Sequence, residues 1–242
     1  MQNVELLQFA DPDVLAAAAA SAWLDEIESI SRSGKPYCVA LSGGRITQKF
    51  FLLTAEKALA RRTPFKHVHF FWADERCVPP DDPESNFKLA DDLLFQPLGI
   101  SKSQIHRLRG ELAPEAGVAQ ANEEISLIAP KENGQPILDL VHLGMGEDGH
   151  VASLFQNARP EPEKSANCNE PFIFVPNSPK PPPHRISLNF EAIAAARRVW
   201  VLVSGTGKEA ALRSSLSAEG KTSLGQVIKS RTSTKIFVDI RV

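Results

Sequence analysis

Leu138-Asp-Leu-Val-His-Leu-Gly144-Met-Gly-Glu-Asp148-Gly-His150-Val-Ala-Ser-Leu-Phe155 changes character halfway along. Leu138 to Leu143 is an apolar run, and it gives way at once to a loop holding three glycines, Asp148 and His150. A short apolar run closed by glycine reads as a buried strand. In open α/β sheets, ligands sit in the loops at the carboxyl ends of strands. Histidine titrates near neutrality, so this loop carries a group able to move a proton.

The same pattern recurs outward from this stretch. Tyr37 to Leu41 is a second apolar run, followed by Ser42-Gly43-Gly44-Arg45-Ile46-Thr47 and a helix expected from about Gln48 to Arg61. A strand, a Gly-Gly turn and a helix start bring unpaired N–H groups and the positive end of the helix dipole together, which suits an anion. Arg45 would add a bidentate phosphate contact. Alone, the turn fits a plain tight turn equally well, and no Gly-Lys-Ser/Thr follows to make it a Walker A loop.

His67 to Trp72 is a third strand, ending in Ala73-Asp74-Glu75-Arg76. Three charges there suit a site, or else a solvated exit from the sheet. His67 and His69 alternate on one strand face and read as structural or surface residues. Val78 to Pro83 is a rigid loop, and a helix begins at Glu84 or Ser85 and runs through Asn86 to Leu94. Val199 to Val203 is a further strand, ending in Ser204-Gly-Thr-Gly-Lys208 before another helix. A lysine in a first helical turn opposes the dipole, which suggests an anion nearby. This is not a P-loop either, because Leu202 stands where its first glycine belongs.

Between these units the expectations are plainer. Val4 to Phe9 is a strand, and Asp11-Pro12 caps an alanine-rich helix reaching about Ser31. The alanines read as helix packing. Ile105 to Leu108 reads as a short strand, Pro114 to Ile128 as a surface helix, and Lys131 to Gly134 as a turn. After Phe155 come Pro160, Pro162, Pro171, Pro176, Pro179 and Pro181 to Pro183, with a strand at Phe172 to Val175. That stretch reads as an ordered excursion over the site. His184 to Asn189 is a strand, Phe190 to Ala196 a short helix, and Ile236 to Ile240 the last strand. Strands alternating with helices predict a mainly parallel α/β sheet with helices on both faces. No repeat or boundary interrupts it, so residues 1–242 are expected to form one domain.

The totals narrow the function. With 242 residues, 43% hydrophobic, and a net charge of −2, the chain has the makings of a large core. It lacks the basic excess of a nucleic-acid binder. Cys38, Cys77 and Cys168 are odd in number and widely spaced, implying neither a disulfide framework nor a zinc site. No metal or cofactor is expected. Met1-Gln-Asn-Val-Glu lacks the positive start of a signal peptide, and the apolar stretch from Val14 to Leu24 is too short to span a bilayer. No membrane association is expected, and the expected location is the cytoplasm.

Gly144-Met-Gly146-Glu-Asp-Gly149 also satisfies GxGxxG. A dinucleotide site would need a long helix after the third glycine and an acidic residue closing the next strand. Here the helix has room for only about two turns before Pro160, and the next strand closes on Pro176-Asn177. The dinucleotide reading is therefore set aside.

Taken together, the motifs resemble those of the 6-phosphogluconolactonases, within the wider glucosamine-6-phosphate isomerase/6-phosphogluconolactonase family, over nearly the whole chain. Gly144 to Phe155 is close to that family's GMGxDGHTASLFP. Asp74-Glu-Arg76, Val78-Pro79 and Ser85-Asn86-Phe87 are similar to its DERxVP…SNY. Leu41-Ser-Gly-Gly44 matches the start of LSGGSTP, Arg185-Ile-Ser-Leu188 its RITL, and Gly205 with Lys208 a later glycine-lysine element. Arg45-Ile-Thr47 departs from Ser-Thr-Pro, so a phosphate-site hydroxyl is either missing or moved to Thr47. Val151 and Gln156 depart from threonine and proline. The related deaminases carry Asn-Glu-Pro where Ser153-Leu-Phe155 stands, and tyrosine in place of Arg76. Both differences favour the lactonase.

The resemblance implies a three-layer α/β sandwich with a Rossmann-like sheet (NagB/RpiA-like), and 6-phospho-glucono-1,5-lactone as the substrate. Gly43, Gly44, Arg45, Arg76 and Lys208 would hold the phosphate, with Arg185 contributing. Asp74 and Asn86 join the substrate contacts. His150 would take a proton from the attacking water, and Asp148 would orient it or hold its protonated form. Backbone N–H groups from Gly146 to Gly149 would stabilise the oxyanion. A serine route lacks its elbow, since there is no GxSxG. The expected partner is the sugar-phosphate lactone, and the expected assembly is a monomer or weak homodimer. A deaminase or isomerase on the same fold, and a non-catalytic sugar-phosphate-binding module, are the alternatives.

Overall fold

The computed structural model describes residues 4–132, 135–156 and 170–241. In chain order, β1 (Val4–Gln8) leads to α1 (Pro12–Ser31), β2 (Tyr37–Leu41), α2 (Arg45–Arg61), β3 (Val68–Trp72) and β4 (Asp74–Arg76). Helix α3 (Asn86–Ala90) continues through a π-helical turn (Asp91–Phe95) into α4 (Gln96–Leu98). Then come α5 (Pro114–Ile128), the short strands β5 (Lys131–Glu132) and β6 (Gln135–Pro136), β7 (Leu140–Gly144), β8 (Phe172–Val175) and β9 (Arg185–Leu188). The chain ends with α6 (Phe190–Ala195), β10 (Arg198–Val203), α7 (Glu209–Leu216), α8 (Ser223–Lys229) and β11 (Thr234–Val238).

Six strands form one sheet in the order β1-β11-β10-β7-β2-β3, every neighbouring pair parallel. Parallel strands need crossovers, and those crossovers are right-handed, so the direction of travel across the sheet decides the face covered. The steps β1 to β2 and β2 to β3 run the same way, so α1 and α2 share a face, where they pack extensively on each other. The steps from β3 to β7, β10 and β11 run back, placing the later helices on the opposite face. A three-layer α/β sandwich results. Central strands buried on both sides are apolar throughout: Tyr37 to Leu41 is wholly buried. Trp23 of α1 and Phe50 of α2 pack on His142 and hence on β7. Burial drives His142 down to about 3, so it is a neutral core ring.

A second sheet, β4-β9-β8, is antiparallel. Asp74 lies opposite Ser187, and Arg76 opposite Arg185. Alternation along strands puts Asp74, Arg76, Arg185 and Ser187 on one face, with Glu75 and Ile186 on the other.

Several expectations are corrected. Helix α2 begins at Arg45, three residues early, because Gly44 itself is its N-cap. Ile105 to Leu108 is not a strand: Ile105 makes a single bridge to Phe70, and a 3₁₀ turn precedes it. Among the described residues no helix follows the GxGxxG loop, whose continuation is a tight turn bridging Val151 and Leu154. The last strand closes two residues earlier than expected, at Val238, and α8 is an element the sequence reading lacks. Lys131–Glu132 pairs with Gln135–Pro136, and the turn between them lies outside the described residues, as do Pro160, Pro162 and Cys168.

Candidate active site

The sheet's direction of travel reverses between β2 and β7, and at such a switch point the carboxyl ends of neighbouring strands open a crevice. A cavity of about 470 Å³ sits there. The loops after β2, β3, β7 and β10, four consecutive strands of the sheet, all contribute to it. Gly43, Gly44, Arg45, Asp74, Arg76, Asn86, Gly146, His150, Arg185 and Lys208 line it. Asp148 and Gly149 are not among the lining residues. Asp148 sits behind His150, and Gly149, at φ +80°, backs against Thr222 at the start of α8. Gly149, expected as a substrate contact, thus stands behind the crevice wall, packed on Thr222.

His150 Nδ1 lies 2.5 Å from Asp148 Oδ1. A carboxylate at Nδ1 fixes the proton there and leaves the Nε2 lone pair as a base. Burial lowers the His150 pKa below the ordinary imidazole value, while Asp148 pulls it up and Lys180 adds to the fall. Burial raises Asp148, but its hydrogen bond and attraction to His150 outweigh that, and its pKa ends below the usual carboxylate value. The resting pair is thus an aspartate and a neutral histidine. Phe155 packs on the imidazole at 4.4 Å. A Cβ at Gly146 would lie 2.1 Å from His150 Cε1, so only glycine leaves room for the ring.

The loop's backbone is less available than expected. Gly146 N–H donates to His150 O at 2.9 Å, and Gly149 N–H donates to Gly146 O at 3.0 Å. His150 N–H is turned toward Asp148 Oδ1 at 3.4 Å. These three amides shape the loop around the imidazole, which leaves those of Glu147 and Asp148 from the expected range.

Helix α2 presents its N-terminus to the same crevice. Gly44, at φ +111°, caps it without a side-chain hydrogen bond, and no acidic residue occupies the first turn. First-turn N–H groups left open in this way attract anions. The hydroxyl question raised by Arg45-Ile-Thr47 has a clear answer: Thr47 Oγ1 is buried and donates to Gly43 O at 2.9 Å. Ser42 Oγ likewise donates to His142 O. Arg45 is the side chain from this turn that lines the crevice with its charge unpaired among the described residues. Lys208 lies across from it, its pKa lowered by burial and then by Arg45, as two cations sharing one site would require. A Cβ on Gly43 would lie 1.9 Å from Asn86 Oδ1, so the turn and Asn86 fit only with glycine.

Three further cations of the crevice, Arg76, Lys49 and Arg185, are occupied. Arg76 Nη1 donates to Glu84 O at 2.6 Å and to its carboxylate at 3.2 Å. Lys49 pairs with Asp13. Arg185 is buried and gives Nε to Pro182 O, Nη1 to Ser153 Oγ, and Nη2 to Lys180 O and Pro181 O. Those four N–H groups leave one of the guanidinium's five, and Nη1 stands 4.0 Å from Asp74. Arg185 is thus built into the wall of the crevice and has little left for a phosphate.

Several participants carry no local sequence signal. Ser153 is fully buried and donates to Asp74 Oδ2 at 2.6 Å, tying the histidine loop to β4. Glu75, grouped with Asp74 and Arg76 by position alone, points away. Its carboxylate accepts from the N–H groups of Arg76, Asn86 and Phe87 and from Ser85 Oγ, and so sets where Asn86 stands. Burial raises Glu75 to about 7 against those hydrogen bonds. Strand alternation, once β4 is recognised, separates Glu75 from its neighbours. Glu147, inside the histidine loop, and Lys180 also line the crevice, and nothing in its sequence surroundings marks Lys180.

A parallel α/β sheet with a cationic crevice at its switch point, and a histidine–aspartate pair beside it, defines a protein built to bind an anionic ligand next to a base. The chain belongs to the glucosamine-6-phosphate isomerase/6-phosphogluconolactonase family, whose model matches residues 10–235. It is 34% identical over 199 residues to the 6-phosphogluconolactonase of Treponema pallidum, covering 82% of this chain and 80% of that one. Against the 6-phosphogluconolactonase of Haemophilus influenzae it is 36% identical, with 74% and 72% covered. A crystal structure described as the devB protein superposes with a TM-score of 0.84 at 30% identity, covering 98% and 96%.

Proposed function

We propose that the protein hydrolyses 6-phospho-D-glucono-1,5-lactone to 6-phospho-D-gluconate, a step of the oxidative pentose phosphate pathway, with His150 as the general base. The observation that carries this reading is that His150, backed by Asp148, lines the same crevice as Arg45, Lys208 and the open N-terminus of α2. A phosphate held at that N-terminus fixes a substrate whose reacting carbon lies at the far end of the sugar, and binding energy from the remote group aligns the carbonyl. Arg76 and Asn86 line the same crevice.

Water attacks C1 as His150 Nε2 takes its proton, and the carbonyl π electrons move onto oxygen. The tetrahedral oxyanion then collapses, the bond from C1 to the ring oxygen breaks, and the imidazolium returns the proton to that oxygen. The carboxylic acid product ionises, releasing one proton per turnover. Asp148 holds the imidazole in the productive tautomer and offsets its positive charge while it carries the proton. General acid–base participation of this kind contributes about 10²–10⁴-fold.

The scheme uses only side chains of this chain and water. Residues 1–242 are taken as one α/β domain, supported by the continuous cluster of buried side chains from Leu15 to Ile240. No described helix is long and apolar enough to cross a membrane. A cytoplasmic location and a monomer or weak homodimer complete the reading. Freshly generated lactone, followed by proton release above the spontaneous rate, tests it. Acceleration supports the assignment, and a folded protein that leaves the spontaneous rate unchanged overturns it. Ammonia release from glucosamine 6-phosphate would instead mark the deaminase.

A further inference from the structure

We propose that Lys180 supplies the positive charge that stabilises the oxyanion formed at the lactone carbonyl, and that Arg185 is the positioning residue that holds Lys180 in place. The inference rests on the lactonase reading and concerns a requirement that reading leaves open. An oxyanion beside His150 needs a donor or a charge, and the amides of Gly146, Gly149 and His150 are committed to the loop itself.

Sorting the crevice cations by occupation leaves few candidates. Lys49 is paired with Asp13, Arg76 with Glu84, and Arg185 with carbonyls and Ser153. Arg45 and Lys208 flank the open helix N-terminus. Lys180 lines the same crevice, and its ammonium makes no hydrogen bond or ion pair among the described residues. It shares that crevice with both His150 and Lys208, and its charge is felt at each. The other charges acting on His150 are Asp148 and Asp74. An ammonium on a flexible stem suits a charge that develops on the carbonyl oxygen and ends on a carboxylate.

The loop that carries Lys180 is fixed in an unusual way. Arg185 donates to three consecutive carbonyls, those of Lys180, Pro181 and Pro182, at 3.1–3.2 Å. Ser178 Oγ donates to Lys180 O, Lys180 N–H donates back to Ser178 Oγ, and Ser178 N–H closes the turn on Pro183 O. The guanidinium is held in turn by Ser153, and Ser153 by Asp74. Asp74, Ser153 and Arg185 thus connect the histidine loop, β4 and the lysine loop, setting base and cation relative to each other.

The test compares Lys180→Gln and Lys180→Arg with wild type for kcat, KM, pH profile and the inhibition constant of inorganic phosphate. Loss of a single oxyanion donor lowers kcat by about 10²–10³-fold. Lys180→Gln is expected to show that fall with KM and phosphate inhibition nearly unchanged, and Lys180→Arg to recover part of it. Without the repelling charge, His150 protonates more readily, so the acid limb of Lys180→Gln moves to higher pH. Arg185→Lys is expected to lower kcat, and to add little in the Lys180→Gln background. A loss confined to KM with weakened phosphate inhibition would move Lys180 to the phosphate end and overturn the proposal, as would an unchanged kcat. Failure of wild type to hydrolyse the lactone would overturn the lactonase reading and this inference together, so the two failures are distinguishable.

Discussion

Gly146→Ala should disable the enzyme without touching a catalytic atom. Gly146 does not have a positive φ, so alanine is conformationally acceptable there and the consequence is steric. The new Cβ would lie 2.1 Å from His150 Cε1, 2.2 Å from Nδ1 and 2.7 Å from Asp148 Oδ1, all below any real carbon contact. Relief requires the imidazole to move by more than about 1 Å, and a displacement of that size at a reacting group costs about 10²-fold. The move also breaks the bond to Asp148, worth about 1.5–3 kcal/mol for a charged partner. The expected fall in kcat is about 10²–10³-fold, capped near 10⁴-fold by complete loss of the base. Overpacking lowers stability by about 1–3 kcal/mol, measurable by urea unfolding. Proton-release rates of Gly146→Ala, His150→Asn and the double variant decide the matter. If the glycine acts through His150, the double variant is no slower than His150→Asn alone. A Gly146→Ala enzyme with wild-type kcat, or losses that multiply, would refute the reasoning.

Three further outcomes follow from the same geometry. The C2 proton of His150, assigned by its absence in His150→Asn, should titrate below the ordinary imidazole value of about 6.5, because burial disfavours the charged ring; activity is then lost as pH falls through that value, and a midpoint above 6.5 would mean that Asp148, not burial, dominates the ring. Arg45→Met should raise KM about 10–100-fold with kcat nearly unchanged, since a phosphate contact binds ground state and transition state alike; a fall in kcat at constant KM would place Arg45 elsewhere. Glu75 sits at about 7 when folded against an ordinary 4.5, so the stability its protonated form contributes is complete below 4.5 and lost as pH rises to 7, an effect of about 3 kcal/mol; urea midpoints should show that slope in wild type and lack it in Glu75→Gln, and parallel slopes would contradict the assignment.

The sheet is legible in the sequence because its strands are apolar runs closed by glycine or charge. A strand such as Tyr37 to Leu41, buried at every residue, needs no alternation to be recognised. Boundaries blur where polar residues enter the sheet: Thr234 is buried and begins β11, two residues before the apolar run that marks the strand. Ile105 to Leu108 has strand composition but no second partner, and composition cannot report partners. Helix α8 is short and weakly patterned, although Thr222 caps it through its hydroxyl, and that same threonine is what Gly149 packs against. In the site, the histidine loop, the Gly-Gly turn and Lys208 can be found by type and position. The roles of Arg185 and Lys180 cannot, since both depend on where the carbonyls of residues 180–182 point after the chain has folded. The missing phosphate hydroxyl is visible as a departure, whereas its resolution, Thr47 turned to Gly43 O, is a matter of rotamer.

The central claim is that His150 is the base, and one comparison reaches it directly. Wild type and His150→Asn, both shown to be folded and to bind 6-phosphogluconate, are given freshly generated lactone at pH 7 and followed by proton release. Wild type is expected to exceed the spontaneous rate clearly, and His150→Asn to lose about 10²–10⁴-fold of kcat with product affinity retained. A His150→Asn enzyme that hydrolyses the lactone as fast as wild type would contradict the claim.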